Sequence, residues 1–126
     1  MVNPDAWQWC SGCESNVPSW YTSGSRCKAC ARLARRTFPP GFTAELVRDL
    51  MKLQGGRCAI CGNRQQRQAL AGDHNHRTNM ARGLLCDTCN HKLLGGAHDS
   101  LRILEAAVYY LRNPPTSGRW LPPEQR

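Results

Sequence analysis

The chain has 126 residues, with 17 Lys and Arg against 9 Asp and Glu and a formal charge of +8. Its length allows one domain with at most a small added module. Leu, Ile, Val and Phe are too sparse, and too often interrupted by 8 prolines and 11 glycines, for an apolar core alone to hold it. The charge favours a polyanionic partner, and no apolar run approaches the ~20 residues of a transmembrane helix.

In chain order, Cys10-Ser11-Gly12-Cys13 and Cys27-Lys28-Ala29-Cys30 are two Cys-x2-Cys knuckles around a loop with Pro18 and Gly24, the spacing of a short zinc ribbon. Residues 31–37 are mostly good helix formers, and Phe38-Pro39-Pro40-Gly41 ends them as a linker. Thr43 is a good N-cap for the next helix, whose Leu46, Leu50 and Leu53 share a face beside Val47; Gly55-Gly56 stops it. A third knuckle, Cys58 to Cys61, and a polar loop lead into a strand over 69–74. Residues 77–80 form the turn, with Asn79 suited to positive φ, and the return strand covers 81–85. A short helix over 87–94 carries the fourth knuckle, Cys86 to Cys89. A last helix over 99–112 places Leu101, Leu104, Val108 and Leu111 on one face, and a Pro-rich, mobile tail follows. The expected organisation is a cysteine module with an Arg-rich helix (1–37), a main domain (42–112) and the tail (113–126). The fold class is small zinc-stabilised α+β.

Met1 to Cys10 is polar, without an apolar leader, so the expected location is the cytoplasm. Disulfides are uncommon there, which leaves the eight cysteines as reduced metal ligands. Two structural zinc sites follow: Cys10, Cys13, Cys27 and Cys30, and Cys58, Cys61, Cys86 and Cys89. Four thiolates close a tetrahedral ion and leave no position for water, so neither zinc hydrolyses anything. The second site instead clamps a hairpin to a short helix. It draws Asn90, next to Cys89, toward Asp73 and His74 at the end of the first strand. A carboxylate and a carboxamide oxygen suit a hard cation, Mg2+ or Mn2+. Neutral His74 suits a general base, and the whole inventory suits a phosphodiesterase.

The runs Gly56-Arg57-Cys58-Ala59-Ile60-Cys61-Gly62, Asp73-His74-Asn75-His76 and Arg82-Gly83-Leu84-Leu85-Cys86-Asp87-Thr88-Cys89-Asn90 resemble the recombination endonuclease VII branch of the HNH nucleases, common in phages. The resemblance covers about residues 42–112. It implies a zinc-braced ββα-metal (HNH, His-Me finger) core pressed on the DNA backbone in the minor groove. It also implies Asp73 and Asn90 as ligands of the catalytic metal and His74 as the activator of water. His76 would bind or polarise the phosphate, or assist at the metal. The family pattern has Asp where Asn75 stands, Gly where Asn79 stands and a large apolar residue where Gly72 stands. Asn75 costs one negative charge and spares the residues assigned chemistry, whereas Gly72 and Asn79 fall on the hairpin's geometry.

The Arg-rich run of Arg26, Lys28, Arg32, Arg35 and Arg36 contains no acid and reads as an auxiliary grip on DNA. Arg82 is either a phosphate contact or a solvated strand residue. Trp7, Trp9 and Trp20 either stack on bases or, the safer reading, pack around the small zinc core. The main alternative to a nuclease is a non-catalytic zinc-finger protein that binds nucleic acid. A second is a phage packaging or regulatory factor acting through recombination or packaging proteins.

Overall fold

In the computed structural model, residues 6–18, 21–33, 37–64 and 68–126 are described. The readings of Arg35 and Arg36 as DNA contacts and of Trp20 as a stacking ring lie outside these residues. The chain divides into two compact units, residues 1–90 and 91–126. Among the described residues the architecture is α+β: three two-stranded antiparallel sheets and short helices.

The first unit begins with two hairpins. β1 (Trp7–Cys10) pairs with β2 (Ser15–Pro18), and β3 (Thr22–Ser23) pairs with β4 (Arg26–Cys27). α1 (Lys28–Leu33) follows directly. One knuckle closes each half of this ribbon. The halves are joined by Ser11 N–H to Ser25 O (3.1 Å) and Cys27 N–H to Cys10 Sγ (3.1 Å).

α2 (Ala44–Gln54) starts where Thr43 Oγ1 accepts the Leu46 N–H at 3.0 Å. It ends at Gly55, whose φ of 62° lets Gly56 N–H reach back to Met51 O at 3.0 Å. The expected stripe is rotated: the buried residues are Val47 and Met51, while Leu53 is 83% exposed. The reason is the ribbon, which docks on the flank of α2. Ser15 Oγ donates to Gly55 O (3.4 Å), Arg64 Nη1 donates to the same carbonyl (3.0 Å), and Lys52 pairs with Glu14 (3.3 Å).

Still in the first unit, β5 (Ala71–His74) and β6 (Ala81–Leu85) form a third hairpin, close to the expected bounds. Gln54 at the end of α2 extends this two-stranded sheet. Its Nε2 donates to Leu84 O (2.9 Å) and its Oε1 accepts Leu84 N–H (3.0 Å), so a side-chain amide satisfies the free edge of β6. After Cys86 the chain forms a π-helical segment, Thr88–Leu94, where an ordinary short helix was expected.

In the second unit, α3 (Leu101–Arg112) begins two residues later than expected. Asp99 sits at φ 55°, and Ser100 takes the capping role, accepting the Ile103 N–H at 3.2 Å. None of the α3 residues is buried, so the Leu101, Leu104, Val108 and Leu111 face does not form the expected core stripe. The tail is not loose. Arg126 lies 3.8 Å over the Tyr109 ring and donates to Leu121 O (2.9 Å), while Tyr109 Oη accepts the Leu121 N–H (3.2 Å). No helix among the described residues is long and apolar enough to cross a membrane.

Candidate active site

Two groups of four cysteine sulfurs converge: Cys10, Cys13, Cys27 and Cys30, and Cys58, Cys61, Cys86 and Cys89. Within each group all sulfurs lie within 4.8 Å of one another. A tetrahedral zinc with bonds of about 2.3 Å has sulfur–sulfur edges of about 3.8 Å. Cys61 and Cys86 are 3.8 Å apart and Cys13 and Cys27 4.0 Å, so both groups fit the ion. Backbone N–H groups already point at the sulfurs, as in Ile60 to Cys58 Sγ (3.4 Å) and Cys89 to Cys86 Sγ (3.4 Å).

Without metal the thiols share protons unevenly. The Cys27 and Cys30 thiols donate toward Cys13 and hold it far below the ordinary thiol range, while Cys27 is pushed up to about 11 by that same bond to Cys13. In the second group burial pushes Cys58 up. Backbone bonds from Cys86, Cys61 and Ile60 outweigh it and bring Cys58 down to about 6. Cys89 is raised, chiefly by burial.

The second cluster stands at the base of the β5–β6 hairpin. Ala59 N–H donates to Leu84 O (3.1 Å), which ties the Cys58 knuckle to β6 just before Cys86. Asn90 follows on the other knuckle. Its N–H donates to Cys86 O at 2.9 Å, and its side chain is half-buried. It lies in the π-helical segment, a conformation that occurs often at functional sites. Asp73 and Asn90 each carry side-chain oxygens of the kind that hard divalent cations take as ligands.

Asp73 is 7% exposed and is the buried charged residue of the hairpin. Its partner is Arg82: Nε to Oδ2 at 2.7 Å and Nη2 to Oδ1 at 2.9 Å, a two-pronged ion pair. A bulge makes this contact. Asp73 pairs with Gly83 and His74 with Ala81, so Arg82 is the extra residue on β6. A bulge turns such a residue out of the strict alternation, and Arg82 faces Asp73 rather than lying across from His74. Sequence reading placed Arg82 at phosphate or solvent and missed this pairing; a period-two pattern carries no signal for it. His74 is half-buried and His76 exposed, with ring centroids 4.6 Å apart. The hairpin therefore gathers Asp73, His74, His76 and Arg82, and Asn90 follows Cys89 of the four-cysteine cluster at its base.

The three departures in the hairpin each have a physical counterpart. A Cβ on Gly72 would lie 2.9 Å from Phe38 Cδ1 and 3.0 Å from Phe42 Cζ. The linker phenylalanines occupy the volume that a large side chain would fill. Asn79 takes φ 59° as a glycine would. Asn75 Oδ1 accepts the N–H groups of Arg77 (2.8 Å) and Thr78 (3.2 Å), building the turn with a neutral amide.

Elsewhere, Arg26 is exposed on β4, and Lys28 and Arg32 are half-buried on α1. Trp7 and Trp9 do not pack around the zinc core: they are 64% and 57% exposed. The neighbouring Gln8 takes the inner face of β1 instead, donating to Gly24 O (3.0 Å) and accepting from Thr22 Oγ1 (3.1 Å).

A hairpin and a short helix joined by a four-cysteine cluster, with an acid and two imidazoles on the hairpin, define a ββα-type domain braced at its base. Residues 31–113 match the recombination endonuclease VII family, and the chain belongs to that family. It is similar to the Gene 59 proteins of Mycobacterium phages D29 and L5, 46% and 41% identical over 76 residues. Each match covers 60% of this chain and 46% of the relative, so the chain spans about half the length of the curated relatives it matches. No solved structure matches it.

Proposed function

We propose that this protein is a metal-dependent DNA endonuclease of the HNH type that hydrolyses phosphodiester bonds and leaves 5'-phosphate and 3'-hydroxyl ends. The observation that carries this reading is the buried, ion-paired Asp73 beside His74 on a hairpin whose base is a four-cysteine cluster. A structural zinc-binding protein has no need of a buried carboxylate there.

Asp73 and the Asn90 carboxamide would hold Mg2+ or Mn2+. When bound, that cation supplies positive charge against the phosphate and the leaving 3' oxygen. His74, as a neutral imidazole, accepts the proton of the attacking water, a role worth ~10²–10⁴-fold in rate. His76 contacts the phosphate. Arg82 fixes the Asp73 carboxylate: its fork takes two of the roughly four lone-pair positions and leaves the others for a cation. The basic ribbon adds grip on the DNA backbone, through Arg26, Lys28 and Arg32. The setting that fits such an enzyme is phage recombination in the host cytoplasm.

The test is nicking of supercoiled plasmid with added Mg2+ or Mn2+. His74→Ala abolishes nicking and retains both zincs and DNA binding. Nicking that survives the substitution removes His74 from its role, and wild-type protein that binds DNA but never nicks it returns the chain to the non-catalytic class.

A further inference from the structure

The family match begins at residue 31, and the reading above uses the preceding ribbon only as a source of charge. Its surface carries something more specific. Trp7 and Trp9 are alternate residues of β1 and point to the same side, and both are mostly exposed. The face they leave is closed, because Gln8 between them is tied to Gly24 and Thr22. These bonds hold β1 so that the two indoles stand outward with no core to enter. A pair of outward tryptophans on a small domain marks an interaction surface.

Charge selects the partner. Among the described ribbon residues 6–33 the acid is Glu14, and it is paired with Lys52. The cations are Arg26, Lys28 and Arg32. The bonds from Ser11 N–H to Ser25 O and from Cys27 N–H to Cys10 Sγ join the strand that carries Arg26 to the end of β1. Flat aromatic faces on a basic ribbon fit nucleobases joined by phosphates. Spacing then selects the form of the nucleic acid. Residues two apart on a strand are about 6.8 Å apart, roughly twice the 3.4 Å step between stacked nucleotides of a duplex strand. Bases resting on both indoles must be parted from each other, as in an extended single strand.

We propose that Trp7 and Trp9 form a two-base stacking platform for single-stranded DNA, with Arg26 adding to the ribbon's attraction for its phosphates. The platform draws on the DNA-cleaving reading only for the identity of its polyanion, and it adds a preference for DNA with an unpaired stretch near the site of cleavage.

The test compares binding of fluorescein-labelled oligo(dT) and of a blunt duplex of equal length by anisotropy across a salt series. The proteins are zinc-loaded wild type, Trp7→Ala, Trp9→Ala, the double variant, Trp9→Phe and Arg26→Ala. Each alanine weakens oligo(dT) binding roughly ten- to a hundredfold, leaves the salt slope unchanged, and changes duplex binding less than twofold. Trp9→Phe restores most of the loss. Arg26→Ala lowers the salt slope by about 0.7. Both substituted rings are exposed, so zinc content and plasmid nicking stay at wild-type level. Oligo(dT) binding by the double variant equal to wild type overturns the proposal, as does an equal loss on duplex and single strand. So does loss of a bound protein partner with oligo(dT) binding intact. Failure of the wild type to bind any DNA overturns the nuclease reading as well, whereas normal nicking without single-strand preference overturns the platform alone.

Discussion

Removing Arg82 tests the centre of the hairpin directly. Arg82→Ala deletes two charge-assisted bonds, of 2.7 and 2.9 Å, from a carboxylate that is 7% exposed. Breaking a fully buried ion pair costs about 3–5 kcal/mol. The Arg82 side chain, however, is 36% exposed, so water reaches the vacated position and part of the loss is recovered. The expected destabilisation is therefore about 1.5–3 kcal/mol, against less than ~0.5 kcal/mol for Arg77→Ala on the exposed turn. Urea denaturation of the zinc-loaded proteins measures both. A double-mutant cycle with Asp73→Asn isolates the pair and should return a coupling of at least about 1 kcal/mol. Arg82→Lys adds a test on activity. It keeps the charge and loses the fork, so Asp73 drifts and nicking falls ~10–100-fold with DNA affinity little changed. A coupling below ~0.5 kcal/mol refutes the reasoning. So does an Arg82→Lys enzyme with full activity combined with an Arg82→Ala salt slope reduced by ~0.9, because Arg82 would then be a phosphate contact.

Other substitutions probe the frame. Cys86→Ser should lower zinc content to one per chain and unfold the hairpin while the ribbon keeps its ion, as read by metal analysis and amide exchange; structural zinc contributes ~10–16 kcal/mol to such folds. Zinc affinity should rise with pH. In the metal-free second cluster Cys58 is a thiolate above about pH 6, while Cys89 is raised and stays protonated, so protons compete with the ion as pH falls. Titration against a chromophoric chelator at several pH values measures the protons released. Gln54→Ala leaves the Leu84 N–H without its 3.0 Å acceptor and should cost about 1–3 kcal/mol in urea denaturation. Gly72→Ala should cost ~1–3 kcal/mol by overpacking against Phe38 and Phe42, with Phe42→Leu recovering part of it.

The parts legible in the sequence were those written locally. Four Cys-x2-Cys spacings identify both clusters, Thr43 and Gly55 mark the ends of α2, and Asn79 takes the positive φ foreseen for it. What escaped depends on contacts distant along the chain. The buried face of α2 is chosen by the ribbon, so Val47 and Met51 are covered and Leu53 is left out, although periodicity favours the leucines. Trp7 and Trp9 look like core residues by composition. The inner face of β1 belongs to Gln8 because its amide can bond to both Gly24 and Thr22. The tail reads as loose because its prolines form no long helix, yet Arg126 returns to the ring of Tyr109.

The hairpin departs from its family pattern and keeps its two-stranded frame. Its three unusual residues change shape or charge, and each change is absorbed by a different neighbour. The linker supplies at Gly72 the two rings that a bulky residue would otherwise provide. Asn79 reaches the left-handed region without being glycine. Asn75 makes its turn with an amide oxygen, a bond that needs no negative charge. The Arg82 fork meets both oxygens of Asp73, at 2.7 and 2.9 Å, and fixes the plane of that carboxylate.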